Sequence, residues 1–174
     1  MAASTYILFL LGCLGATDIL LYHSIAHGIR SHADSRLELW IHSLRGPTYA
    51  ALFLLLPNFA LHGAFFWMLI GIFVFDVAVS IADFLIEAAS REFLGGLPSG
   101  EYVLHMIIAM LFGALVASVF YSAWPWAGMT TQITYEPAGV PHFLRMLMAL
   151  MAVFVLGTAT MDARAAVRLS KATK

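Results

Sequence analysis

The sequence predicts an all-α, polytopic membrane protein: an up-down four-helix bundle with a fifth transmembrane helix, in one integral membrane domain over residues 1–174. Three observations carry that reading. The chain is 61% hydrophobic and only 11% charged, with a mean hydropathy of +0.88, whereas a soluble domain carries about a quarter charged residues. Five apolar segments are long enough to cross ~30 Å of hydrocarbon as helices. Short connections punctuated by Gly, Pro and Asn join them, so consecutive spans are expected to be antiparallel neighbours.

The first span runs from about Thr5 to Gly28 and ends at "GIRSHAD". Leu10-Leu11-Gly12-Cys13 is loosely similar to a lipoprotein cleavage site, but "MAASTY" lacks the positive n-region of a secretory signal, so the segment is read as a retained span. The second runs from about Ser35 to Leu56; Ser35-Arg36-Leu37-Glu38 has the form of a helix capping box, and Gly46-Pro47 is expected to kink it. After "PNFALH" the third span runs from Gly63 to Ser90, and after "REFLGGLP" the fourth runs from Ser99 to Ala123. The longer connection "WPWAGMTTQITYEPAGVP", read as loop, leads to the fifth span, Pro141 to about Leu169. Its Met-rich run "RMLMALMAVF" is read as lipid-facing or packing surface. Cys13 is the only cysteine, which excludes an internal disulfide and a thiolate metal cluster. A net charge of −1 without a basic stripe argues against a nucleic-acid partner.

Under this topology Arg30, Arg36, Arg91, Arg164, Arg168, Lys171 and Lys174 fall on one side, and only Arg145 lies near the other. Because Lys and Arg accumulate on the cytoplasmic side, the expectation is an outside N-terminus and an inside C-terminus. Trp67, Trp124 and Trp126 then fit an outer interfacial belt and Trp40 an inner one.

Ionisable side chains are costly in hydrocarbon, so their placement is the functional signal. The first span ends with His23 and His27, the second begins with Glu38 and His42, the third ends with Asp83 and Glu87, and the fourth begins with Glu101 and His105. Each pair is spaced i, i+4, on one helical face about 6 Å apart along the axis. Because the spans alternate in direction, all four pairs are expected to converge at one end of the bundle. Each pair taken alone also has a plain reading: a cap at Glu38, a favourable helix dipole at Glu101, an interfacial face at Asp83 and Glu87, satisfied polar residues at His23 and His27. Four pairs at one depth favour the interior reading.

Four imidazoles and four carboxylates suit iron first, with zinc or manganese as alternatives, and suffice for two metal ions. Soluble di-iron and di-manganese carboxylate proteins use the same logic with Glu-x-x-His, one residue shorter than the spacing here. Asp76, Asp18 and Arg45 form a deeper layer, expected to orient the ligands or carry protons, or to be a plain structural ion pair with Arg45 bonded to Asp76 or Asp18. His32, His62, His142 and Glu136 are read as lying outside the cluster; Asp162 is expected at the cytoplasmic level, in contact with the cluster or, in preference, paired with Arg164.

The segment "EAASREFLGGLPSGEYVLH" resembles small, uncharacterised bacterial integral membrane proteins with a G-G-L-x-[ST]-x-E-Y-x-x-H pattern, and the likeness extends back through "SRLELWIHSLR". That resemblance implies a bacterial inner (cytoplasmic) membrane and no particular activity. His23-x-x-x-His27 is similar, more loosely, to the histidine boxes of membrane fatty-acid hydroxylases and desaturases, whose H-x-x-H-H boxes are missing here.

Three functions follow as expectations. The first is a membrane oxidoreductase with a dinuclear, iron-type centre acting on a lipid-like or hydrophobic substrate, served by an electron donor. The second is a zinc-dependent membrane hydrolase, similar in logic to the alkaline ceramidases, in which the metal activates water. The third is a non-catalytic metal- or haem-binding subunit of a membrane complex; haem needs only one or two axial histidines and leaves the carboxylates unexplained.

Overall fold

In a computed structural model that describes residues 1–172, five long helices account for most of the chain. Helix α1 (Ala2–Asp18) runs without a break into a π-helical segment, Ile19–Ala26. It is followed by α2 (Arg36–Leu55), α3 (Ala64–Arg91), α4 (Ser99–Ala123) and α5 (His142–Ala172). Thr173 and Lys174 lie outside the described residues, so the placement of Lys174 expected above is not addressed.

Four helical stretches are long and apolar enough to cross a membrane: Ala2–Ala26, Ala64–Leu94, Ser99–Gly128 and His142–Lys171. The surface agrees with that environment. Large apolar side chains point outward along these helices, including Leu85, Met110, Phe143 and Val153, while acidic side chains point inward, the reverse of a soluble protein. The expected second span, Ser35 to Leu56, is the one that differs. Helix α2 has 20 residues, about 30 Å at 1.5 Å per residue, but Arg36, Glu38 and Arg45 keep it below the apolar threshold the others pass. It is instead shielded, packing along most of its length against α5 and also against α3. Gly46 permits the close approach: a Cβ there would collide with Ala159 of α5 and press on the Val155 carbonyl. Pro47 lies within α2 without ending it.

The other tight pairing is α1 on α4, with Ser4 and Ser118 hydroxyls 2.9 Å apart across it. Between the pairs, one half of the bundle is filled by hydrocarbon, including Leu8, Phe53, Phe66, Phe73 and Leu115. Aromatic rings lock α3 to α4 there, with Phe73 and Phe112 edge to face at 5.9 Å.

Two connections expected to be irregular form a small antiparallel ribbon at this apolar end. Strand β1 (Phe59–His62) pairs with β2 (Gln132–Tyr135), and Phe59 lies opposite Tyr135. Backbone bonds from Glu136 to the Asn58 carbonyl and from Ala138 to the Pro57 carbonyl extend it. Gly63 ends β1 at φ +60, where its N–H donates to the Trp126 carbonyl at 2.8 Å and a Cβ would strike the Met129 carbonyl oxygen and Thr131. Trp67 and Trp124 are half exposed, as an interfacial belt requires. Trp126 instead turns inward, packing on the core and edge-on to His62.

Candidate metal centre

The opposite end of the bundle is polar inside. Asp18, His23, Glu38, Asp83, Glu87 and Glu101 are each less than 9% exposed, and His27 is buried with them. All eight residues paired in the sequence enter one connected network, together with Asp18 and a residue the sequence reading left on the boundary, Arg91.

The backbone explains the first contribution. In an α-helix Asp18 and His23, five apart, face directions about 140° apart. The π-helical turn bonds residue i to i+5, which brings these two over one another: His23 Nε2 lies 3.3 Å from Asp18 Oδ2. The same turn delivers His27, whose Nε2 is 3.2 Å from Glu101 Oε2, before Gly28 (φ +56) turns the chain away. From α4, Glu101 Oε1 approaches His23 Nε2 at 3.5 Å, and His105 Nε2 approaches Asp18 Oδ2 at 3.2 Å. From α3, Glu87 Oε2 lies 3.3 Å from His105 Nδ1, and Asp83 Oδ2 lies 3.6 Å from His42 Nε2 of α2. The His42 and His23 rings stack in parallel with centroids 4.5 Å apart, linking α2 to α1.

Within this network two sets of donor atoms lie close enough to share an ion. Asp18, His23, Glu101 and His105 each offer one atom, all within 4.8 Å of one another, and so do His23, Glu38 and His42. Several buried atoms of the network have no hydrogen-bond partner: Asp18 Oδ1, His23 Nε2, Asp83 Oδ1 and His105 Nδ1. His23 Nε2 is the clearest case. It stands within ion-pair distance of two carboxylates and makes a hydrogen bond to neither. Buried polar atoms without partners are costly and uncommon.

The structure therefore regroups the expected ligands. Asp18, expected to act from behind, joins His23, Glu101 and His105 in the four-donor set. His27, Asp83 and Glu87 border the two sets, facing Glu101, His42 and His105 respectively. Glu38 does not cap its own helix; it accepts from Ser90 Oγ and from Arg91 Nη1 at 2.9 Å.

Arg91 is the residue the sequence reading undervalued. Its side chain is fully buried, and Nη2 lies 2.7 Å from Glu38 Oε1, 3.0 Å from Glu101 Oε1 and 3.9 Å from Glu87 Oε1. As the last residue of α3 it resembled an interfacial cation. The one signal pointing inward was its i, i+4 relation to Glu87.

Arg45 behaves as expected. Its Nε donates to Asp76 Oδ1 at 3.2 Å, its Nη1 lies 3.6 Å from Asp83, and Tyr49 Oη donates to Asp76 Oδ2 at 3.4 Å. Asp162 does not pair with Arg164: Arg30 Nε donates to it at 2.6 Å, closing the turn after the π-helical segment onto α5. His62 and His142 stay at the ribbon end, against Gln132 and Arg145, and His32 is exposed.

Six carboxylates in the network (Asp18, Glu38, Asp76, Asp83, Glu87 and Glu101) face two guanidiniums, Arg45 and Arg91, an excess of four negative charges. Buried charge at this density requires neutralisation. Protons on the imidazoles or the carboxylates, or divalent cations, can supply it.

No protein-family model, no curated protein and no solved structure matches this chain.

Proposed function

We propose that the polar end of the bundle is a metal centre of imidazole and carboxylate ligands, and that the chain is a membrane oxidoreductase using it on a hydrophobic, lipid-like substrate. The observation that carries the proposal is the four-donor set of Asp18, His23, Glu101 and His105, with a buried, unpartnered His23 Nε2 at its middle. Two imidazoles and two carboxylates without thiolate suit iron, with manganese and zinc next. The neighbouring set of His23, Glu38 and His42 supports a second ion beside the first, and two divalent cations would balance the excess of four negative charges.

Substrate class follows from the surroundings. Phe84, half exposed on the outer surface, lies against the His105 ring with centroids 5.9 Å apart. The His105 side chain is itself 12% exposed beside this apolar ring, and an amphiphile entering there would meet the centre without leaving lipid. An electron donor would act from the polar end. Lys and Arg asymmetry supports that end lying at the cytoplasmic face, with the N-terminus outside, and the resemblance to bacterial proteins supports an inner membrane. Single cysteines at Lys171 and Thr131 test the orientation: Lys171 should be shielded from an impermeant thiol reagent in intact cells and Thr131 labelled, and the opposite pattern overturns it.

The test of the centre is elemental analysis and an optical spectrum of detergent-purified protein. Iron should accompany the native chain, and His105→Ala or His42→Ala should lower it, whereas His62→Ala should not. Zinc alone would replace the oxidoreductase with a hydrolase in which bound water is the nucleophile. A haem band, or a chain purified without metal, would overturn the proposal.

A further inference from the structure

Arg91 does something a metal ion does elsewhere. Its guanidinium gathers three carboxylates from three different helices, Glu38 of α2, Glu87 of α3 and Glu101 of α4, and is itself fully buried. Its Nε has no partner, so the group is not positioned by a full hydrogen-bond complement. Nη1 and Nη2 face the two oxygens of Glu38, while Nη2 alone reaches Glu101 and Glu87, so charge is what all three carboxylates share. Glu101 belongs both to this gathering and to the four-donor set, and Glu38 both to this gathering and to the three-donor set. Glu101 turns Oε1 to Arg91 and Oε2 to His27, and Glu38 lays both oxygens against Arg91, so each carboxylate is shared between the guanidinium and a candidate ion position.

We propose that Arg91 is a resident cation standing where a further divalent ion would otherwise bind, bridged to the centre through Glu38 and Glu101. The inference deepens the metal reading of the same site. It makes Arg91 the residue that limits how many ions the polar end accepts and keeps both bridging carboxylates turned toward their ion positions. Take away the positive charge and the three carboxylates form a new oxygen-rich site, the kind a hard divalent cation prefers.

The experiment counts manganese(II) per chain in the detergent-purified native protein and in Arg91→Met, Arg91→His and Arg91→Lys, each loaded with manganese(II) and desalted. Arg91→Met and Arg91→His should each retain one more ion per chain than the native protein, and Arg91→Lys, which keeps the charge, should match it. The extra ion should be lost again from Arg91→Met when Glu87→Gln is added. An unchanged count in Arg91→Met and Arg91→His overturns the proposal. So does failure of both to fold in manganese-supplemented medium, because the metal then cannot replace the guanidinium. A native chain without metal and an Arg91→Met chain with one ion would sink the proposed centre while leaving this inference standing. The reverse result would sink only the inference.

Discussion

Phe66 and Arg91 lie on the same helix, both fully buried, 25 residues or roughly 37 Å apart. Around Phe66 the helices meet through interlocking hydrocarbon and through edge-to-face rings of Trp67 and Trp124. Around Arg91 they meet through carboxylates, imidazoles and one guanidinium. In water the first kind of contact would dominate folding, because burial removes apolar surface from solvent. In lipid it competes with contacts that are equally apolar, and packing alone favours association. The polar end is different. Its groups have nowhere else to go, so each lost partner leaves a charge stranded. The apolar half gives shape, and the polar half gives the bundle a single arrangement.

Removing one charge from the polar end should break that contrast most severely. Glu101→Ala withdraws a fully buried carboxylate from Arg91, His23 and His27, and breaking such a pair costs about 3–5 kcal/mol. Thermal denaturation in detergent should show a large drop, and bound metal should fall with it. A drop no larger than that of an apolar truncation would mean the network is already solvated. Next comes Gly46→Leu, which forces a side chain between α2 and α5 where a Cβ already collides with Ala159. Overpacking of this kind costs about 1–3 kcal/mol, and because α2 carries Glu38 and His42 it should also reduce bound metal, measurable on the same sample. At the ribbon end Arg145→Ala removes hydrogen bonds to Asn58 Oδ1 and Tyr135 Oη, worth about 0.5–1.5 kcal/mol each at most. It should lower the melting temperature slightly and leave metal content unchanged; a loss of metal would show the two ends to be coupled. Smallest of all, His142→Ala should alter neither quantity, since its ring is exposed and lies against Arg145 at the surface.

The four i, i+4 pairs placed their residues on one depth from spacing alone, because α-helical periodicity and alternating spans leave few alternatives. What stayed illegible depended on departures from that periodicity. Asp18 and His23 share a face only because the helix widens between them, and the run "DILLYHSIA" carries no Gly or Pro to announce it. Arg91 read as an interfacial cation because its place at the end of α3 is where such residues collect, and its burial depends on three acidic partners from three helices. The ribbon pairs four-residue segments 70 or more positions apart, too short and too distant for a local signal. Glu38 had a good local reading as a cap, and Ser90 and Arg91 overrode it. Arg30, not Arg164, reached Asp162 because the turn after the π-helical segment folds back onto α5.

The shielding of α2 by α5 has a consequence for biogenesis. Helix α2 is made early and carries three charges, each of which adds about 2.5–3.5 kcal/mol to insertion when it sits near the bilayer centre. The helix that covers it, α5, is synthesised after α3 and α4. A nascent chain that has not yet released α5 therefore has its least insertable segment uncovered, and α2 must wait at the translocon or at the membrane surface until Ala159 can close over Gly46. Arg30 and Asp162 then fasten α5 to the turn after the first helix, so the helix that covers α2 also seals the polar end.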